Sequence, residues 1–129
     1  MVTDNHIGEI RTRVLKIWLR EDGIVQNVVD PGAEYTLADA REGLAGIDKV
    51  CKGQRCPLLV DSRNLKSMDR NARQEMAAFE GITSIAILID SAVSRMIGNV
   101  FLATNKKSYP ARLFTSEAEA VEWLKGFLE

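Results

Sequence analysis

A chain of 129 residues, 46% hydrophobic and 27% charged, is long enough to close one core without disulfide or metal support. A formal net charge of −1 gives no overall field for nucleic acid or an anionic membrane surface, so either would need a local patch. No window approaches the roughly 20 apolar residues of a membrane span, and the opening MVTDNHIGEIRTR holds no apolar leader, so a cytoplasmic protein is expected.

Residues 1–12 read as a flexible polar tail, and 13–129 as a single domain. Leu15, Ile17 and Leu19 alternate with Lys16 and Arg20, the period of a strand. EDG at 21–23 is a turn signal and IVQNVV at 24–29 a second apolar run, so an antiparallel hairpin is predicted, closed by Pro31 and Gly32. Thr36 and Asp39 have capping-box spacing, and Leu37, Ala40, Leu44, Ile47 and Cys51 recur at helical intervals behind them. Gly43 and Gly46 weaken that helix by about 1 kcal/mol each relative to Ala, so packing must hold it.

PLLVD at 57–61 and SIAILID at 84–90 are nearly unbroken apolar runs, the pattern of parallel strands buried on both faces. Ala72, Met76 and Phe79 mark a helix over 69–79 between them, completing a β-α-β unit with a right-handed crossover. A third helix is predicted from Ala92 to Thr104, then a short strand ARLF at 111–114. Ser116 and Glu119 form a capping box for a last helix carrying Ala120, Val121, Leu124, Phe127 and Leu128 on one face, with Trp123 at its flank packing on a neighbour. The order is β-β-α-β-α-β-α-β-α: an α/β domain whose mixed sheet runs from an antiparallel hairpin into parallel strands with crossover helices.

Catalytic chemistry finds few candidates. Cys51 and Cys56 flank KGQR, which is neither redox-pair spacing nor a disulfide framework, so they read as structural thiols. The single histidine, His6, falls in the tail, out of reach of a Ser-His or Cys-His pairing and insufficient for a four-ligand zinc site. No Gly-rich phosphate loop follows a strand. Asp61, Asp69 and Asp90 lie near the carboxyl ends of the central strands, where Mg²⁺ or a phosphoryl group would sit in an Mg-dependent enzyme or a receiver domain. A receiver also needs an acidic pair after its first strand, and VVDPG supplies one Asp. Capping and turn roles are expected for these carboxylates, with no enzyme activity, metal or cofactor.

The element order, with LLVD, an SMD that opens a helix, and the closing YPARLFTSEAEAVEWL, resembles the STAS domain of anti-sigma-factor antagonists and the wider STAS-like set. SRMIGNVFLATNKKSYPARLFTSEAEAVEWLKGFL resembles a family of uncharacterised bacterial domains in that superfamily. In the antagonists a strand ends in an Asp, and an Asp-Ser pair then opens a helix whose Ser is phosphorylated by a partner kinase. On that pattern Asp61 matches the strand-end Asp and Asp69 the Asp of the pair, while Arg70 stands where the Ser belongs, a permanent cation in place of a switchable hydroxyl. Ser67 reads as a helix N-cap. The resemblance implies a bacterial regulatory or interaction module that acts by protein–protein contact without the phosphoserine switch.

Two surfaces are candidates for contact. Arg63, Lys66, Arg70 and Arg73 form a basic collar at the start of the second helix, suited to an acidic partner or an anionic group. Lys106, Lys107 and Arg112 offer a smaller patch. On the third helix Val93, Met96, Ile97 and Val100 share a face, Phe101 sits at its edge and Leu102 points away. A helix apolar on more than one side is either fully buried or meets something. Met96, Ile97, Phe101 and Leu102 are therefore expected to mediate homo-oligomerisation or to hold a lipid-like ligand, the alternative function being a binder of a small apolar or anionic molecule.

Overall fold

The computed structural model describes residues 8–104 and 109–128. In chain order its elements are β1 (Ile10–Arg11), β2 (Leu15–Leu19), β3 (Val25–Val29), β4 (Glu34–Tyr35), α1 (Leu37–Cys51), β5 (Cys56–Asp61), β6 (Ser67–Met68), α2 (Arg70–Ala78), β7 (Ile82–Leu88), α3 (Ala92–Ala103), β8 (Ala111–Phe114) and α4 (Glu117–Lys125). The main sheet has the order β1-β2-β3-β5-β7-β8, antiparallel from β1 to β3 and parallel from β3 to β8.

The period of two explains how one sheet serves two layers of core. In β5, Leu58 and Val60 face one layer and Leu59 the other; in β7, Ile85 and Ile87 oppose Ala86 and Leu88. The larger layer gathers α1, α2 and α3 through Ile47, Met76 and Phe101, and the smaller is closed by Ala120 and Leu124 of α4. Trp123 packs beside that second layer, 5.7 Å from the Phe114 ring and edge-on to Phe127 at 4.9 Å between centroids.

Helix α1 shows what holds a glycine-containing helix. Thr36 and Asp39 form the reciprocal box, and Arg13 from the loop before β2 reaches the same carboxylate at 2.6 Å. The Arg13 guanidinium, with the Thr36 donors, holds the buried Asp39 carboxyl down at about 2. Gly43 and Gly46 let the helix settle onto β2. A Cβ at Gly43 would fall 2.8 Å from Leu15 Cδ1, and one at Gly46 would fall 2.7 Å from Ile17 Cδ1.

Four expectations shift. The sheet begins inside the stretch assigned to the tail, because Ile10 and Arg11 pair with Ile17 and Lys16 and the Arg11 side chain bonds Asp30; residues 1–7, His6 among them, lie outside the described residues. Ser67 is not a helix cap. It pairs in β6 with Glu34 of β4, the Asp69 N–H then donates to the Tyr35 carbonyl at 2.9 Å, and α2 starts only at Arg70. The strand expected at 84–90 runs Ile82–Leu88, since Asp90 and Ser91 are taken up by the α3 cap. The last helix ends at Lys125, so Phe127 and Leu128 follow it and Leu128 is exposed.

Candidate functional site

The basic collar separates into two pairs. Arg63 folds back on Asp61 with a two-pronged ion pair, Nε at 2.9 Å and Nη2 at 2.7 Å, and Lys66 reaches Glu34 at 3.2 Å. Arg63 and Lys66 are thereby engaged with the protein's own carboxylates. Arg73 donates to the Met68 carbonyl at 3.1 Å and makes no ion pair among the described residues, and neither does Arg70. Arg70 stands exposed at the first position of α2, and Asp69 is that helix's N-cap, accepting from the Asn71 N–H at 3.1 Å.

The strand-end aspartates are each engaged locally. Asp61 is turned to Arg63, Asp69 caps α2, and the Asp90 N–H donates to Ser94 Oγ at 2.9 Å in the α3 cap. Among the described residues no group of three or more His, Cys, Asp or Glu side chains is placed to hold a metal ion. Cys51 is buried and Cys56 half-buried, both as free thiols, and burial pushes the Cys51 thiol up. Arg112 lies over the Phe114 ring at 5.2 Å, while Lys106 and Lys107 lie outside the described residues.

Helix α3 is where geometry departs most from the expected apolar face. Its buried stripe is Ser94, Gly98 and Phe101, spaced four and three apart. A Cβ at Gly98 would fall 2.8 Å from Leu113 Cδ2, so the small residue permits the close approach to β8. With that stripe inward, Val93, Met96 and Val100 are left outside at 47%, 59% and 41% exposure. The four residues expected to act together therefore divide. Phe101 is core and Ile97 packs half-buried against it, Leu102 is half-buried elsewhere, and only Met96 belongs to the outer face. Helical spacing places Val100 with Ile97, yet Val100 stands outside. The small residues at 94 and 98 are the sequence signal for that rotation, since they mark the side of closest packing.

Beside this outer stripe, α2 and α3 enclose a groove of about 420 Å³ between Arg70, Arg73, Gln74 and Ala77 on one wall and Val100, Ala103 and Thr104 on the other. Arg95 borders the same stripe, with Met96 and Asn99. Among the described residues no acidic side chain lines either surface. The outer face is thus an apolar centre with an arginine rim.

On the inner side of α3 a cavity of about 40 Å³ separates the helix layer from the sheet. Ile97 and Phe101 roof it, Met76 of α2 and Leu65 flank it, and Val60 and Ile87 form its floor. Asn27 enters the same floor because Val25, Asn27 and Val29 share the core-facing side of β3. Asn27 is 2% exposed, and its Oδ1 has no hydrogen-bond partner among the described residues. Ser62 and Tyr109 are satisfied nearby: Ser62 Oγ donates to the Leu88 carbonyl at 2.9 Å and Tyr109 Oη to the Met76 carbonyl at 2.6 Å. In the sequence the signal for Asn27 is an amide two residues from both Val25 and Val29, in an otherwise apolar face.

Comparison with known proteins bears on fold and family. The solved structure of an uncharacterised DUF3478-family protein with a SpoIIAA-like fold, from Shewanella loihica PV-4, aligns with a TM-score of 0.59 at 16% identity, covering 96% of this chain and 98% of that one. A protein of unknown function from Arthrobacter sp. FB24 is 30% identical over 84% of this chain and 96% of its own, with a TM-score of 0.34. No curated protein matches. The fold is SpoIIAA-like, that is STAS-like, as the element order implied. A model of a domain of unknown function, DUF7793, matches residues 17–128, and the chain belongs to that family.

Proposed function

We propose that the protein is a non-catalytic interaction module that docks a protein partner on the outer face of α3 and the adjoining α2–α3 groove. The observation that carries this reading is the exposure of Val93, Met96 and Val100 on one face beside Arg70, Arg73 and Arg95. Contiguous exposed apolar surface with a charged rim is the usual anatomy of a recognition patch. The partner that fits is an amphipathic segment with an apolar centre and acidic flanks, whose carboxylates meet the arginines and speed its encounter.

A second copy fits less well. In a two-fold contact the same patch faces itself, so the arginine rim of one copy would meet that of the other. Non-catalytic action is supported by the strand-end carboxylates being engaged in pairing and capping. The permanent charge of Arg70 at the position where antagonists carry their phosphorylated Ser favours a contact that is not switched there.

The test is a photo-cross-linking amino acid placed in the full chain at Met96 and, as a control, at Glu42 on α1. Supporting the reading is one identified protein joined at position 96 and not at 42, whose purified form binds the wild type and is weakened at least tenfold by Met96→Glu. Cross-linking only to a second copy overturns the acidic-partner reading, and equal labelling from both positions overturns the docking face.

A further inference from the structure

We propose that the cavity beneath α3 is a binding site for a small, largely apolar molecule that presents one hydrogen-bond donor, an alcohol being the simplest, to Asn27 Oδ1. This site is on the opposite side of α3 from the docking face and does not rest on it. Asn27 pairs in register with Ile17 of β2 and Val60 of β5, at the centre of the sheet, where an aliphatic side chain would be the ordinary occupant. A buried amide oxygen left unmatched carries an uncompensated desolvation penalty, and here it lies among the largely apolar walls of an open space. A ligand donor removes that cost on binding.

Chemistry and size narrow the class. Val60, Leu65, Met76, Ile87, Ile97 and Phe101 supply apolar contact and no counter-charge, so an anion is disfavoured. At about 40 Å³, against roughly 10–15 Å³ for each water-sized sphere, the space takes a compact molecule of a few non-hydrogen atoms and not an acyl chain. Position agrees: the floor is built from the carboxyl-end halves of β3, β5 and β7, where open α/β sheets bind ligands. The half-buried Met68 and Ile97 mark the side towards solvent, and Met68 and Met76 have the flexible side chains that adapt to an entering group.

Two isomers of one formula isolate the donor: 1-butanol carries a hydroxyl, whereas diethyl ether only accepts. Amide-resolved NMR titration of the full chain should give saturating shifts around Asn27 and α3 with 1-butanol, and at least fivefold weaker binding of the ether. Asn27→Leu, which keeps the core apolar, should erase the preference, and Ile97→Phe, which fills the space while keeping Asn27, should block both. Non-saturating shifts, equal affinity of the wild type for the two isomers, or a crystal grown in 1-butanol that shows only an ordered water on Asn27 Oδ1 would each overturn the proposal.

Discussion

Helices α1 and α3 lie in the same layer and are both let close to the sheet by glycine, yet they end in opposite states. On α1 the inward stripe includes Ala40, Ile47 and Cys51 besides its glycines, and the outward side carries charges such as Arg41, Glu42 and Lys49. On α3 the inward stripe is short and mostly small, and the outward side carries Val93, Met96 and Val100. Helix α1 has its hydrophobic surface covered by its own protein, whereas α3 has hydrophobic surface on both sides and its own protein covers one. Apolar content by itself therefore does not say which side of a helix is buried; the small residues do.

Substitutions sharpen this contrast in descending order of effect on stability. Phe101→Ala, on the inner side of α3, should cost about 3–5 kcal/mol in urea unfolding, because a fully enclosed ring is removed. Gly46→Val should cost about 1–3 kcal/mol, since the new side chain meets Ile17 at the tightest approach of α1. A loss below 0.5 kcal/mol for Gly46→Val would show that α1 is less firmly seated than described.

Asp39→Asn should cost about 1 kcal/mol through the lost Arg13 ion pair and the weakened capping box, with a pH signature. The folded carboxyl titrates at about 2 against an ordinary 3.8, so its stabilisation is present above 3.8 and is lost as pH falls from there through about 2. The variant should be less stable at neutral pH and lose less between pH 4 and pH 2 than the wild type, as read by acid-dependent melting. Met96→Ser, on the outer side of α3, should change stability by no more than about 0.5 kcal/mol, although it alters one of the most apolar exposed positions.

Much of the fold was readable because its signals are local. The alternation of Leu15, Ile17 and Leu19, the runs PLLVD and SIAILID, and the Thr36–Asp39 box each depend on near neighbours in the chain, and all reappear as elements. The short strands β4 and β6 were not readable, since their pairing joins Glu34 to Ser67 across a helix and a strand, and two residues carry no period. The same long-range pairing displaced the α2 cap from Ser67 to Asp69.

The candidate site was half legible. Arg70 and Arg73 were identified with the basic collar, but the engagement of Arg63 by Asp61 and of Lys66 by Glu34 depends on how loops close. Met96 was identified, whereas the inward turn of Ile97 and Phe101 depends on Gly98 meeting Leu113 of a strand that follows in sequence. Asn27 is visible in the sequence as an amide in the apolar face of Val25 and Val29, but only the cavity around it gives that amide a role.

The central claim is that the outer face of α3 is an interface. Its most direct measurement is calorimetric titration of the cross-linked partner, once purified, against the wild type, Met96→Glu and Arg70→Glu/Arg73→Glu, at low and high salt. The account predicts at least tenfold weaker binding for each variant, a wild-type affinity that falls with salt, and melting temperatures close to wild type. Unchanged affinity in both variants, with folding intact, would contradict it.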